Sequence, residues 1–187
     1  MTWPWELDLK ALTYAGIALG IAVAVALTIH LALFALLTGI TNHSQSKGDD
    51  EVVRRMRNPV RALMVAIAVS FVAEAQPIVA SAWQQVARFV APALLGWTAY
   101  ALVQALTTAM YLRTEATADD MAVRSRRTRV SILSRVATAI ILFVTVSLML
   151  LGIPGVRSVG VTLMASAGLM GLAVGAAAQP ALRSLIA

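Results

Sequence analysis

The sequence lacks cysteine, so disulfide bonds, thiolate metal sites and cysteine nucleophiles are all excluded. Histidine occurs only twice, and neither an HExxH nor a GxSxG pattern is present. Charged residues make up only 13% of the chain, and the long apolar segments hold a single glutamate and a single histidine. An enzyme site needs a nucleophile, a metal cluster or carboxylates at a useful spacing. We therefore expect no enzyme activity, no catalytic residue, no cofactor and no metal site.

What the sequence does contain is apolar residues in long uncharged runs. Hydrophobic residues make up 59% of the chain and the mean hydropathy is +0.80. Charges cluster between five intervals, each of which we predict to cross a bilayer as a helix. The pattern predicts an all-α integral membrane protein with five transmembrane helices, over residues 11–40, 62–80, 89–112, 136–153 and 158–179.

The positive charges between these spans predict their orientation. Two connecting segments are rich in basic residues, and the other two have a single arginine each, Arg88 and Arg157. Because basic loops favour the cytoplasmic side, we expect the N-terminus outside and the C-terminus inside. The net charge of +6 and the pI of 10.8 reflect these loops, so we expect contact with membrane lipids and no nucleic-acid partner. The basic residues are Lys47, Arg54, Arg55, Arg57 and Arg61 in one segment, and Arg113, Arg124, Arg126, Arg127, Arg129 and Arg135 in the other.

The fifth span is unusually rich in glycine and alanine. No charged side chain occurs from Ser158 to Leu182, and Gly168, Gly171 and Gly175 recur at spacings of three and four. This spacing puts the three glycines on one helix face. Each glycine lowers helix stability by roughly 1 kcal/mol relative to alanine in water. We therefore expect this face where another helix approaches closely and its packing offsets the cost. We expect copies of this helix to pack around a central hole.

The end of the chain resembles a known family. The stretch AGLMGLAVGAAAQPALRSLIA, residues 167–187, is similar to the pore helix of the small-conductance mechanosensitive channel (MscS) family. The segments RRTRVSILSRV (126–136) and GVRSVGVTLMASAG (155–168) resemble the longer members, which have extra N-terminal spans. The resemblance implies a channel core at residues 86–187 and a peripheral two-helix region at residues 1–85.

The resemblance also implies a function. Family members open under membrane tension and release ions and small osmolytes on hypo-osmotic shock, in the bacterial inner membrane. It implies a homo-oligomer of seven copies, with ions as the permeating partners. In the family a cytoplasmic β-domain follows the pore helix, and we expect that this chain is truncated before it. A secondary transporter and a non-conducting membrane scaffold are the alternatives from other classes.

The resemblance assigns roles to residues of the fifth span. Leu172 matches one of two apolar residues that face the pore in the family, and Ala176 stands where the second is bulky. We expect the constriction to be formed by Leu172, with Leu169 and Ala176 on the same face. Two further sets follow, the pore-helix packing residues Gly168, Gly171, Ala173 and Gly175, and the kink at Gln179 and Pro180. Beyond the kink we expect an interfacial amphipathic helix over residues 181–187.

Two ionisable residues and three tryptophans also have predicted positions. We expect Glu74 in a hydrated position near the outer end of span two, and His30 neutral and hydrogen-bonded to a neighbouring helix. Trp3, Trp5 and Trp83 fit an aromatic belt at the outer membrane interface.

Overall fold

The computed structural model describes residues 9–43, 47–115 and 120–186. Within these ranges the chain is all α-helical, without strands. Each helix contains a stretch long and apolar enough to cross a membrane. The prediction of five such helices is confirmed, and the architecture is compatible with a multi-pass membrane protein. In chain order the helices are α1 (Leu9–His43), α2 (Lys47–Ala75), α3 (Pro77–Glu115), α4 (Asp120–Leu151) and α5 (Arg157–Ile186).

The boundary between the second and third helices differs from the prediction. Span two was expected to reach Ala80, but α2 ends at Ala75 and α3 begins at Pro77. Proline has no backbone N–H and suits the first turn of a helix, so it starts α3 instead of extending α2. The carbonyl of Gln76 accepts hydrogen bonds from the N–H groups of Val79 (3.0 Å) and Ala80 (2.9 Å), which closes the first turn of α3.

The helices pack in chain order, each on the next, with a smaller contact between α1 and α3. Small residues lie at these contacts. On α3 the buried alanines Ala101, Ala105 and Ala109 recur every four residues, which places them on one face. A Cβ on Gly48, at the start of α2, would lie only 3.1 Å from the Cβ of Ala109. Close backbone approach through small side chains is the usual basis of helix packing in membranes.

Helices α3 and α4 pack antiparallel, again through a glycine. A Cβ on Gly96 would collide with the side chain of Thr145. Nearer the start of α3, the Nη1 atom of Arg88 donates to the carbonyl oxygen of Gly152 at 3.3 Å. From Gly96 to Arg88, toward the start of α3, the partner residue moves from Thr145 to Gly152, just past the end of α4. The third and fourth helices therefore form a close antiparallel pair.

Trp83 lies inside α3 and not in a loop between two spans. Its side chain is half-buried, and its Nε1–H donates to the hydroxyl oxygen of Ser70 on α2 at 2.9 Å. The residue thus joins α2 to α3, because an indole N–H in an apolar setting seeks an acceptor. The other two residues of the predicted aromatic belt, Trp3 and Trp5, lie outside the described residues.

Candidate functional site

The stretch of α5 from Gly168 to Ala177 is the longest run of exposed residues in the described part of the chain. Among the described helices, α5 contacts only α4. Every residue from Gly168 to Ala177 is exposed, including Leu169 (69%) and Leu172 (73%). Apolar side chains this exposed are ordinary against lipid, but small residues such as glycine are enriched where membrane helices pack closely. The predicted pore-helix residues lie in this stretch or immediately after it.

Helix α5 is attached to α4 at the opposite end, near the turn that joins them. Gly160 is buried, and a Cβ there would lie 3.0 Å from the carbonyl oxygen of Ser147 and 3.0 Å from the backbone nitrogen of Leu151. The Ser147 side chain is itself fully buried, and its Oγ donates to the Phe143 carbonyl at 2.8 Å. Gly160 was not singled out from the sequence. The available signal was its place beside a short turn, where two helices must be close.

The three predicted constriction residues share one uncovered face. At about 100° per residue along an α-helix, Leu169, Leu172 and Ala176 fall within about 60° of one another. All three are exposed. Most of the buried or half-buried residues of α5 lie roughly opposite, and only Ser166 lies at about 90° to this face. The opposite residues are Gly160, Leu163, Met164, Ala167 and Ala178. The apolar face therefore points away from the one helix that α5 contacts.

The predicted packing residues flank this face. A Cβ on Gly168, Gly171 or Gly175 would meet nothing within 4 Å. By the same angular count the three glycines lie about 70–130° to one side of the leucine face, with Gly171 on the side that carries Gly160 and Met164. Ala173, which is exposed, lies about 70° to the other side. The described residues of this chain thus supply no contact that would explain the three glycines.

The helix does not stop at the predicted break. Helix α5 continues through Gln179 and Pro180 to Ile186, so no separate helix begins after the proline. Both residues are exposed. A proline inside a membrane helix is tolerated where nearby groups satisfy the freed carbonyl, and a bend there stays a prediction. The predicted amphipathic segment 181–187 is helical as far as Ile186, and Ala187 lies outside the described residues.

The two ionisable residues inside predicted spans lie on other helices. The His30 side chain is 1% exposed and its ring centroid lies 4.5 Å from that of Phe34. Within the described part of the chain neither of its ring nitrogens has a hydrogen-bond partner, so the predicted bond to a neighbouring helix is not formed there. Glu74 is exposed and is the next-to-last residue of α2, in agreement with a position near the helix end.

No protein-family model, curated protein or solved structure matches the chain. The resemblance of residues 126–136 and 155–187 to mechanosensitive channels therefore stays a prediction that rests on those residues.

Proposed function

We propose that this chain is one subunit of a membrane channel that opens under tension and passes ions and small osmolytes. The observation that carries the proposal is the exposed stretch of α5 from Gly168 to Ala177, whose three glycines contact nothing within the described part of the chain. Each of these glycines costs about 1 kcal/mol of helix stability by aqueous values. Close packing against another helix offsets that cost, and further copies of α5 are the simplest source of such packing.

The arrangement of the two flanks supports a closed ring. The three glycines lie to one side of the leucine face and Ala173 lies to the other. In a ring, the glycine side of one copy packs against the Ala173 side of the next copy. A contact between two different surfaces repeats from copy to copy, and it closes into a ring when the rotation between neighbours divides a full turn evenly. The leucine face, which points away from α4, then lines the hole. Seven copies is the number that the family resemblance implies.

In this ring Leu172 forms the narrowest point. A ring of leucine side chains excludes water from a small apolar constriction, and ions cannot shed their hydration shell there. Leu169 adds a second apolar layer on the outer side. Ala176 leaves the inner side wider than a bulky residue would. No side chain reacts chemically in this scheme, so the proposed activity is not enzymatic.

Membrane tension would act through the outer helices. Tension favours whichever state occupies more area in the membrane plane, in the way that a ligand favours the state it binds better. Helices α3 and α4 face lipid in this arrangement, and α4 holds α5 through the contact at Gly160. We propose the orientation given by the basic loops, with the N-terminus outside, in a bacterial inner membrane. Opening under hypo-osmotic shock would then release solutes from the cell.

Patch-clamp recording on purified protein in liposomes, with suction ramped, tests the proposal. We expect discrete openings above a reproducible suction, with a conductance that rises linearly with ion concentration over the measured range. Saturable counterflow of a solute without such openings would identify a transporter instead. Electrical silence of protein shown to be inserted and oligomeric would contradict the proposal and favour a scaffold.

A further inference from the structure

A groove lies between the end of α1 and the start of α2, well away from α5. Its volume is about 540 Å³, within the range of small-molecule sites in proteins. The groove lies where the apolar stretch of α1 finishes, at Gly39, and that of α2 begins, at Asp50. In a bilayer crossed by these two stretches, this end of α1 and α2 lies near the lipid headgroups. Its principal lining residues are Leu31, Phe34 and Ala35 from α1, and Asp50, Arg54 and Arg57 from α2.

The two walls of the groove differ in chemistry. The α1 wall is apolar except for Thr38, whereas the α2 wall carries two guanidinium groups. Between Asp50 and Arg61 the sequence has four arginines and only two carboxylates, so this stretch has an excess of positive charge. A molecule that fits both walls has an apolar part and an anionic part.

The arginines of this stretch are unequally paired. Arg54 and Arg55 share the Glu51 carboxylate, and the Arg55 Nε to Glu51 Oε1 distance is 2.6 Å. Arg57 is exposed and forms no ion pair within the described part of the chain. It lies two turns, or about 10 Å, further along α2 than Asp50. A guanidinium beside apolar helix stretches binds an anion or reaches toward water.

We propose that this groove binds one anionic phospholipid per chain. The headgroup phosphate accepts hydrogen bonds from Arg57 and from the exposed guanidinium of Arg54, and an acyl chain lies along Leu31 and Phe34. Arginine suits phosphate because its planar donors can bind two oxygens at once. Asp50, the carboxylate lining the groove, repels the phosphate and so places it toward Arg57. In the proposed orientation this is the cytoplasmic leaflet, where anionic lipids attract basic segments.

The test is native mass spectrometry of the full chain in detergent, titrated separately with phosphatidylglycerol, phosphatidylcholine and inorganic phosphate. We expect one phosphatidylglycerol per chain to bind in preference to phosphatidylcholine. Arg57→Gln should weaken phosphatidylglycerol binding about five-fold, the effect of one basic residue near a membrane surface, and leave phosphatidylcholine binding unchanged. Arg129→Gln, at an exposed arginine of α4, is the matched control and should have no effect.

A second variant tests the same site with the opposite sign. Asp50→Asn should tighten phosphatidylglycerol binding, again by about five-fold, and it removes no group on which the bound lipid depends. The proposal is overturned if Arg57→Gln and Asp50→Asn both bind phosphatidylglycerol as the unmodified chain does. An equal loss with Arg129→Gln would also overturn it, because the attraction would then be diffuse. Displacement of the lipid by millimolar inorganic phosphate would make the ligand a free anion. This proposal does not depend on the channel function.

Discussion

The glycines at contacts within the chain and the glycines between Gly168 and Gly175 of α5 lie in opposite surroundings. A Cβ on Gly48 or Gly160 would lie 3.0–3.1 Å from atoms of the neighbouring helix, and one on Gly96 would collide with Thr145. A Cβ on Gly171 or Gly175 would meet nothing within 4 Å. The first group is explained by the fold of one chain. The second group is not, which is why we look outside the chain for its partner.

The absence of neighbouring atoms around a glycine does not by itself place that glycine in an interface. Gly16 and Gly20 on α1 also have no atom within 4 Å of a built Cβ. The helix around them is nonetheless anchored, because α1 packs on α2 and buries residues such as Ala26 and His30. In α5 the whole run from Gly168 to Ala177 is exposed. The difference between the two helices lies in the continuity of the uncovered surface.

The largest expected effect comes from changing the leucine face of α5. Leu172→Ser removes an apolar side chain whose full burial stabilises a protein by about 1.5–3 kcal/mol. The change is present in every copy of the ring. We expect channels that open at much lower suction in patch-clamp recordings, and cells that grow poorly without osmotic challenge. Val174→Ser is the matched control, because Val174 is 68% exposed against 73% for Leu172 but points about 160° away. Equal effects from the two variants would contradict the assignment of the pore-lining face.

Next in size is the effect of filling the open glycine flank. The double variant Gly171→Leu with Gly175→Leu should abolish the oligomer, because leucine side chains prevent close approach of a neighbouring helix. Helix content by circular dichroism should not fall, since both positions are open within the chain. Light scattering of the purified protein in detergent gives the oligomeric state.

Gly20→Leu, at an open glycine of α1, is the control for this experiment. It should leave the oligomer intact. If Gly20→Leu dissociated the oligomer and the α5 variant did not, the subunits would associate through α1.

The same small substitution should have opposite effects in the two groups of glycines. Gly96→Ala should lower the free energy of unfolding by about 1–3 kcal/mol, since the added methyl group collides with Thr145. Gly171→Ala, measured on the monomer, should raise it by up to about 1 kcal/mol through better helix propensity. Unfolding in mixed detergent micelles measures both.

A double-mutant cycle identifies the cause of the loss at Gly96. Thr145→Ala removes the Oγ1 and Cγ2 atoms that the new methyl group would meet, so it should recover much of the stability. Strict additivity of the two changes would show that Thr145 is not the obstacle.

The smallest expected effect concerns the polar contact between α2 and α3. Trp83→Phe keeps an aromatic ring but removes the Nε1–H that donates to Ser70. Hydrogen bonds between membrane helices average about 0.6 kcal/mol, so we expect a loss of that order in unfolding measurements. Trp97→Phe, at a tryptophan that is 46% exposed, should cost less. A larger loss at Trp97 would mean that ring packing, and not the hydrogen bond, joins the helices at Trp83.

The residues whose placement the sequence predicted well are those governed by hydropathy along the chain. Glu74 lies near the end of α2 as expected, because a carboxylate is tolerated only near water. The placements that differed depend on neighbours. Trp83 was predicted to lie between the second and third spans, but it lies inside α3 and bonds to Ser70, because α2 and α3 fold back on each other. His30 was expected to form a hydrogen bond across helices, and its described surroundings offer an aromatic ring instead.

The sequence by itself determined the helical class, the number of apolar helices and the face that Leu169, Leu172 and Ala176 share, because hydrophobic runs and helical periodicity are local properties. Only the tertiary structure decided which glycines are covered. Gly160 and Gly171 are alike in sequence terms, but Gly160 meets the backbone of α4 and Gly171 meets open space. The physical reason is that a glycine carries no side chain to indicate its partner. Its surroundings depend wholly on where the other helices lie.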